Sequence, residues 1–314
     1  KRLADWLKQQ DPKLKGCDWR SLYRMREFFE KWQNVDWSYF SKTKSVEYQP
    51  PEPHNSEIKI LGLTTPISSP LPAFLAKITW THHIEILRGT SSQEEMLFYL
   101  ALTIRERYTV IELRRQIKSS LFERQMLAKH TLLVPEHPKK ELLAEIFRDR
   151  YIFEFLDLKE SHSEQDLKKA LLGRMKEFLL ELGRDFIFLE EELHLKAGMA
   201  DYFVDLVFFH RELQCLVAVD LKMEAFKPEQ LGKMNFYLEL LDRDVRKPQE
   251  NPSIGVVLCK TKDDEVVEIA MNRQLTPALI AAYETKFLDK KLLRKLLHQW
   301  AEEWEAGQDR EGKF

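Results

Sequence analysis

The sequence predicts a two-part chain of α/β (α+β) class, with a mainly α-helical N-terminal domain followed by a domain in which helices surround a set of strands. Three observations predict it. Up to about residue 135, apolar positions recur at helical spacing. From Phe186 to Lys222, short apolar runs rich in Val, Leu and Phe take over, the pattern of strands, with helix-type segments before and after. Between the halves, Pro135 and Pro138 in "LVPEHPKKELL" break the chain and set a boundary at residue 138. The second domain then spans 139–285, and 286–314 forms a terminal amphipathic helix and tail.

In chain order, Trp19 to Trp32 places Leu22, Met25, Phe29 and Trp32 on one helical face, opposite Arg20, Arg24, Glu27 and Lys31. Six of the 13 prolines fall between Pro50 and Pro72, and the stretch 46–72 reads as an irregular Pro-rich insertion. "TSSQEEMLFYLALTIRERY" opens on capping residues and runs on as helix. "TVIELRRQIKSSLFERQMLAKH" follows, with Val110, Leu113, Ile117 and Leu121 in line. A long helix is expected from Ser163 to Leu182, opened by the pair Ser163 and Asp166 and closed by Gly183. Strands are expected at Phe186–Glu190, Leu193–Lys196, Tyr202–His210 and Gln214–Lys222, then a helix entered through Pro228 and a strand at Ile254–Cys259. Tyr283 to Trp304 reads as the last helix, with Phe287, Leu292, Leu296 and Trp300 aligned. That stripe suits packing on the second domain or on another subunit, a homo-oligomer contact.

Composition excludes several classes. The 314 residues are 44% hydrophobic, enough for two cores, and 49 Lys and Arg against 51 Asp and Glu exert no overall pull toward nucleic acid or membrane. The longest apolar run, Met96 to Ile104, is far short of the ~20 residues that span a bilayer. Cys17, Cys215 and Cys259 are odd in number and widely spaced, which speaks against disulfides and zinc. Lys1 is no initiator methionine and no leader pattern follows it, so the expectation is a cytoplasmic protein whose N-terminus is processed or truncated.

The chemistry concentrates in "YFVDLVFFHRELQCLVAVDLKMEAFKPE". If its two strands pair about a turn between Glu212 and Leu213, Asp205 and Asp220 stand opposite each other, and Lys222 projects from the same face as Asp220. Opposed carboxylates among apolar neighbours are costly unless paired with cations or bound to a metal. A hard divalent cation such as Mg²⁺ resolves the conflict, with Lys222 orienting the attacking water or stabilising charge on a phosphate. A buried ion network, or a register shifted by one residue, is the alternative reading.

An acid in one strand followed by "DLK" in the next, between two helices, resembles the PD-(D/E)xK nuclease superfamily. From about Phe153 to Tyr283, "FLLELG", "FVDLVFFHRELQCLVAVDLKMEAFKPEQLGKMNFYLELLD" and "NPSIGVVLCK" resemble the bacterial YhcG-type nucleases. "WRSLYRMREFFEKW", "ITWTHHIEIL" and "RYTVIELRRQIKSSLFERQ" are similar to that family's helical, helix-turn-helix-like DNA-binding N-terminal domain.

The resemblance implies a restriction-endonuclease-like mixed central sheet flanked by helices. It also implies Mg²⁺ (or Mn²⁺) held by Asp205 and Asp220, Lys222 beside the attacking water, and a further acid from the preceding helix, Glu181 ahead of Glu177. Two positions depart from the pattern: Asp220 stands where relatives usually have glutamate, and Lys233, one helical turn before Tyr237, stands where they usually have glutamine.

From Arg105 to His130, seven Lys or Arg face three Glu, which makes Arg105, Arg107, Arg114, Arg115 and Lys118 the main candidates for phosphate contacts, with Arg20 and Arg24 behind them. A solvated helix face is the plain alternative. The expected function is thus a Mg²⁺- or Mn²⁺-dependent DNA nuclease. Its competitor is a weak or inactive nuclease-fold subunit that binds DNA or assembles with a partner protein of a defence or restriction-type system, and RNA is a third substrate left open.

Overall fold

The computed structural model describes residues 2–33, 35–37, 72–133, 140–158, 162–272 and 276–299. The expected Pro-rich insertion lies outside them except for Pro72. The chain divides into two compact units, 1–118 and 119–314.

The first unit is helical: α1 (Arg2–Gln10), α2 (Trp19–Trp32), α3 (Trp80–Gly89), α4 (Gln93–Glu106) and α5 (Val110–Lys118). Asp18 caps α2 by accepting the Arg20 and Ser21 N–H groups, and Ser92 caps α4 through the Glu95 N–H. The buried side of α2 differs from expectation. Met25 and Phe29 are exposed, whereas Phe28 packs on Trp80 and His83 and Trp32 is fully buried. His82 and His83 bond the carbonyls of Tyr108 and Leu75, structural roles for both rings.

The second unit starts earlier than residue 138, because α6 (Leu121–Thr131), which the sequence pattern places in the N-terminal domain, belongs to it. Ser120, at φ 55°, ends the helical run after α5, so "TVIELRRQIKSSLFERQMLAKH" makes two helices. Next come α7 (Lys140–Ile146), β1 (Arg150–Ile152), α8 (Glu164–Gly173) and α9 (Met175–Leu182). The expected single helix from Ser163 to Leu182 is broken at Arg174, which leaves helical geometry (φ −124°, ψ 36°) behind Gly173, a poor helix former. The capping pair Ser163 and Asp166 forms as expected.

Then follow β2 (Phe186–Ala197), β3 (Ala200–His210), β4 (Cys215–Ala225), α10 (Glu229–Asp244), β5 (Asn251–Thr261), α11 (Asp264–Met271), β6 (Ala278–Glu284) and a helix over 290–299, α12. The two expected strands between Phe186 and Lys196 are one strand, irregular between Phe188 and Glu190. β2 and β3 are joined by Gly198 and Met199, and Gly198, at φ 62°, supplies the left-handed step of the tight turn.

Tyr283 lies in β6, not in the last helix, because "ALIAAYE" is a buried parallel strand whose continuous apolar run carries no strand period. Within α12 the buried leucine is Leu293, while Leu292 and Leu296 face out. Arg294 and Lys290 instead hold α12 to the buried Glu123 of α6, at 2.9 and 3.5 Å.

The strands form one six-stranded mixed sheet in the order β1-β6-β5-β4-β3-β2, parallel from β1 to β4 and antiparallel from β4 to β2. One core, with Leu167, Leu171 and Phe178 of α8 and α9, covers one face around Phe208, Val217, Val219 and Leu258. The other, with Leu231, Met234, Tyr237, Leu238 and Leu241 of α10, covers the opposite face around Leu216, Ala218 and Val257. Helices on both faces explain why β4 and β5 read as unbroken apolar runs.

Close packing of α10 on β5 depends on Gly255, where an added Cβ would fall 2.5 Å from Met234 Cγ and Sδ. Met234 is buried and has little room to yield. Gly255→Ala is therefore expected to destabilise the protein by roughly 1–3 kcal/mol, measured by urea unfolding. The thiols offer a second check. Burial pushes the Cys259 thiol up to about 11, and Cys215 is buried too, while Cys17 is half-buried. Iodoacetamide at about pH 8 should modify Cys17 in the native protein and reach Cys215 and Cys259 only after unfolding, as peptide mass spectrometry would show.

Candidate active site

β3 and β4 pair only from Leu206, opposite Val219, to His210, opposite Cys215. Beyond that point they part. β3 continues along β2, while β4 continues along β5 with Asp220 beside Val257 and Lys222 beside Cys259. Asp205 and Asp220 are the next residues on each strand and sit where the fork opens, as the turn-centred register expects. Parting costs the Leu221 N–H its ladder partner, and the Asp205 side chain replaces it, Oδ2 accepting that N–H at 2.8 Å. Beyond the fork Phe203 is exposed while its neighbour Val204 is fully buried.

Three ammonium groups surround the two acids. Lys222 Nζ lies 2.8 Å from Asp220 Oδ2 and donates to the Leu221 carbonyl at 2.9 Å. Lys233 Nζ, from α10, is 3.3 Å from Asp220 Oδ1 and 5.1 Å from the centre of the Tyr237 ring, a cation–π contact. Tyr237 itself is a core residue, which accounts for its place one turn from Lys233.

On the other side, Lys168 of α8 reaches Asp205 Oδ1 at 2.9 Å and Glu192 Oε1 at 3.0 Å. Burial disfavours the charged forms of Lys168 and Lys233. Asp205 and Glu192 outweigh it at Lys168, and Asp220 with the Tyr237 side chain outweighs it at Lys233, so both ammonium groups hold their protons above the usual lysine range. Each aspartate thus has an ammonium beside it, Lys222 at Asp220 and Lys168 at Asp205. Neither Lys168 nor Glu192 is visible as a site residue in the sequence, because each occupies an ordinary charged position of an amphipathic helix or an edge strand.

Among the described residues, no three His, Cys, Asp or Glu side chains converge as a ready metal site. The donor set still suits a hard cation. Asp220 is 1% exposed, and its Oδ2 makes an ion contact with Lys222 but no aligned hydrogen bond, so a buried carboxylate oxygen keeps coordination capacity. Asp205 Oδ1 and the Leu221 carbonyl add further oxygens, and Mg²⁺ characteristically takes one or two carboxylates and keeps water for the remainder.

Glu181 does not join this group. It is fully buried, with Oε1 bound by Arg124 at 2.9 Å, Arg148 at 3.0 Å and the Ile152 N–H of β1 at 3.0 Å. β1 stands three strands from β4, roughly 14 Å at ordinary spacing. Glu181 is therefore a structural counter-ion that ties α6 and α9 to β1. Glu177, half exposed, pairs loosely with Arg174 at 3.6 Å.

In the first unit, Arg114 makes a two-pronged bond to Glu85 at 2.7 and 3.1 Å, Arg105 bonds Glu106 at 2.8 Å, and Arg20 lies over the Trp19 ring. Arg107 closes α4 at φ 49°. Arg24 is half-buried on α2, and Arg115 and Lys118 lie on α5.

Residues 144–298 match the family model of the YhcG PDDEXK nuclease domain, and 60–124 match the DUF1016 N-terminal domain. A curated protein of Escherichia coli K12, described as "Putative nuclease YhcG", is 32% identical over 289 residues, covering 89% of this chain and 74% of that one. Among solved structures, a repair endonuclease from Pyrococcus abyssi overlaps 41% of this chain and 49% of its own (13% identity, TM-score 0.27). An EndoMS complex with double-stranded DNA overlaps 40% and 45% (12% identity, TM-score 0.27). This chain thus spans about half the length of the solved structures it matches.

Glu181→Gln strips the shared carboxylate from two guanidinium groups, one of them buried, and should cost about 3 kcal/mol or more in urea unfolding, whereas Glu177→Gln should stay within about 0.5 kcal/mol.

Proposed function

The chain belongs to the YhcG-type PDDEXK nucleases, and from that premise we propose that it hydrolyses phosphodiester bonds of DNA at the fork between β3 and β4, with Mg²⁺ or Mn²⁺ as cofactor. The observation that carries this reading is the convergence of Asp205, Asp220 and Lys222 where the two strands part. A bound divalent cation supplies charge neutralisation at the scissile phosphate and a more acidic water.

The protein's own groups do the rest. Asp205, its carboxylate oriented by the Leu221 N–H, and Asp220, anchored in the buried part of β4, would hold the cation, together with the Leu221 carbonyl. Lys222 follows Asp220 on the same strand face and presents its ammonium to the attacking water or to the phosphate. Lys233, half exposed and steadied by the Tyr237 ring, attracts the phosphate backbone as a point charge. Aspartate at 220 keeps the carboxylate chemistry with one methylene less reach. Arg105, Arg107, Arg114, Arg115 and Lys118, with Arg20 and Arg24, are the proposed phosphate contacts of the helical unit, positioning DNA without reading sequence.

A second reading has its own support. The ammonium groups of Lys168, Lys222 and Lys233 already balance Asp205, Asp220 and Glu192, so the fork is complete as an ion cluster and would suit a subunit that holds DNA without cutting it.

Incubation of the purified protein with linear, nicked and branched DNA in Mg²⁺ or Mn²⁺ separates the two readings. Cleavage that EDTA abolishes, and that Asp220→Ala and Lys222→Ala each lower by about a thousandfold, is expected of the nuclease. DNA binding without cleavage, unchanged by Asp205→Asn, would establish the binding subunit instead.

A further inference from the structure

Lys168 has no place in the chemistry just described, yet it occupies an oxygen of Asp205. In β2, Glu192 stands between Glu191 and Leu193, whose partners Leu206 and Val204 flank Asp205, and at φ 50° it leaves regular strand geometry. Neighbouring carboxylates repel, and the Lys168 ammonium, with a side chain only 15% exposed, bridges Asp205 and Glu192 at 2.9 and 3.0 Å. With Lys222 and Lys233 on Asp220, the three acids and three ammonium groups have no net formal charge.

Adding a doubly charged cation while every ammonium stays would concentrate positive charge in a poorly solvated fork, where repulsion is far stronger than in water. At least one ammonium must give way. Lys222 is tied to its own strand through the Leu221 carbonyl, and Lys233 lies at the open rim over Tyr237. Lys168 sits on Asp205 itself and has a second carboxylate to retreat to, since the Glu192 side chain is 63% exposed.

Resting on the metal-dependent reading above, we infer that Lys168 is a tethered counter-ion that stands in for the metal on Asp205 and withdraws toward Glu192 when a divalent cation binds. Metal affinity is then set by competition with this ammonium, and the same contact keeps the metal-free fork intact. Lys168 is a positioning residue in this scheme, acting through Asp205.

The test is calorimetric titration of Mn²⁺ into native protein and the variants Lys168→Met and Lys168→Arg, with circular dichroism to confirm folding. Lys168→Met should bind about tenfold more tightly, and Lys168→Arg, which keeps the charge, should bind like the native protein. In parallel, native protein is treated with an amine-acylating reagent and digested for mass spectrometry. Modification of Lys168 should rise severalfold when Mn²⁺ saturates the site, and Asp205→Asn should show the faster rate without metal.

Binding by Lys168→Met that equals or falls below the native protein's overturns the inference while leaving the metal reading in place. So does Lys168 acylation that Mn²⁺ does not change in a protein that binds it. Absence of Mn²⁺ binding in native protein and both variants overturns the two together. If Lys168→Met does not fold, the acylation experiment on native protein and Asp205→Asn decides.

Discussion

The bond from the Leu221 N–H to the Asp205 carboxylate is the contact on which the site depends. A sheet that divides between two strands exposes backbone groups that would otherwise pair, and a buried amide without an acceptor is costly. By taking over that amide, Asp205 lets β3 stay with β2 while β4 stays with β5, and the gap becomes a place where two carboxylates meet cations from both faces of the sheet. α8 reaches it with Lys168 and α10 with Lys233. A carboxylate that completes the backbone and also offers an oxygen to a cation needs no extra element to orient it.

The second unit buries two carboxylates in different company. Glu181 accepts hydrogen bonds from the Arg124 guanidinium and the Ile152 N–H and makes an ion contact with Arg148, so it is held by a rigid planar group and by backbone. Asp220 meets ammonium groups on flexible stems, and one of its oxygens lacks an aligned hydrogen bond. The first arrangement makes a fixed joint among α6, α9 and β1. The second leaves a buried carboxylate oxygen with coordination capacity, held only by ammonium groups on flexible stems. Helix position could not separate them, since Glu177 and Glu181 both read as acids on one amphipathic helix.

Much of the architecture was legible because it rests on local rules. The capping pair at Ser163, the Pro228 entry to α10 and the turn between Glu212 and Leu213 depend on residues close in sequence, and all are found where expected. The turn alone sets which strand residues oppose, so the meeting of Asp205 and Asp220 follows from chain-local geometry. β6 was missed for the converse reason: "ALIAAYE" is buried on both faces, and only its parallel neighbours β1 and β5 reveal it as a strand. Pro135 and Pro138, the expected boundary, lie outside the described residues, whereas the division after residue 118 follows from contacts between residues far apart in sequence.

By itself the sequence determined which residues of the β3–β4 hairpin oppose, and so that Asp205 and Asp220 come together, since the turn and the alternation of a strand are short-range properties. Tertiary structure alone decided which cations meet which acids. Lys168 lies 37 residues before Asp205, and its ammonium arrives there only because α8 packs across the sheet. The same dependence on helix placement removed Glu181 from the site and brought Lys233 to it. Charged side chains on helices carry no local mark of their partners, because the partner is fixed by how the helix lies on the sheet.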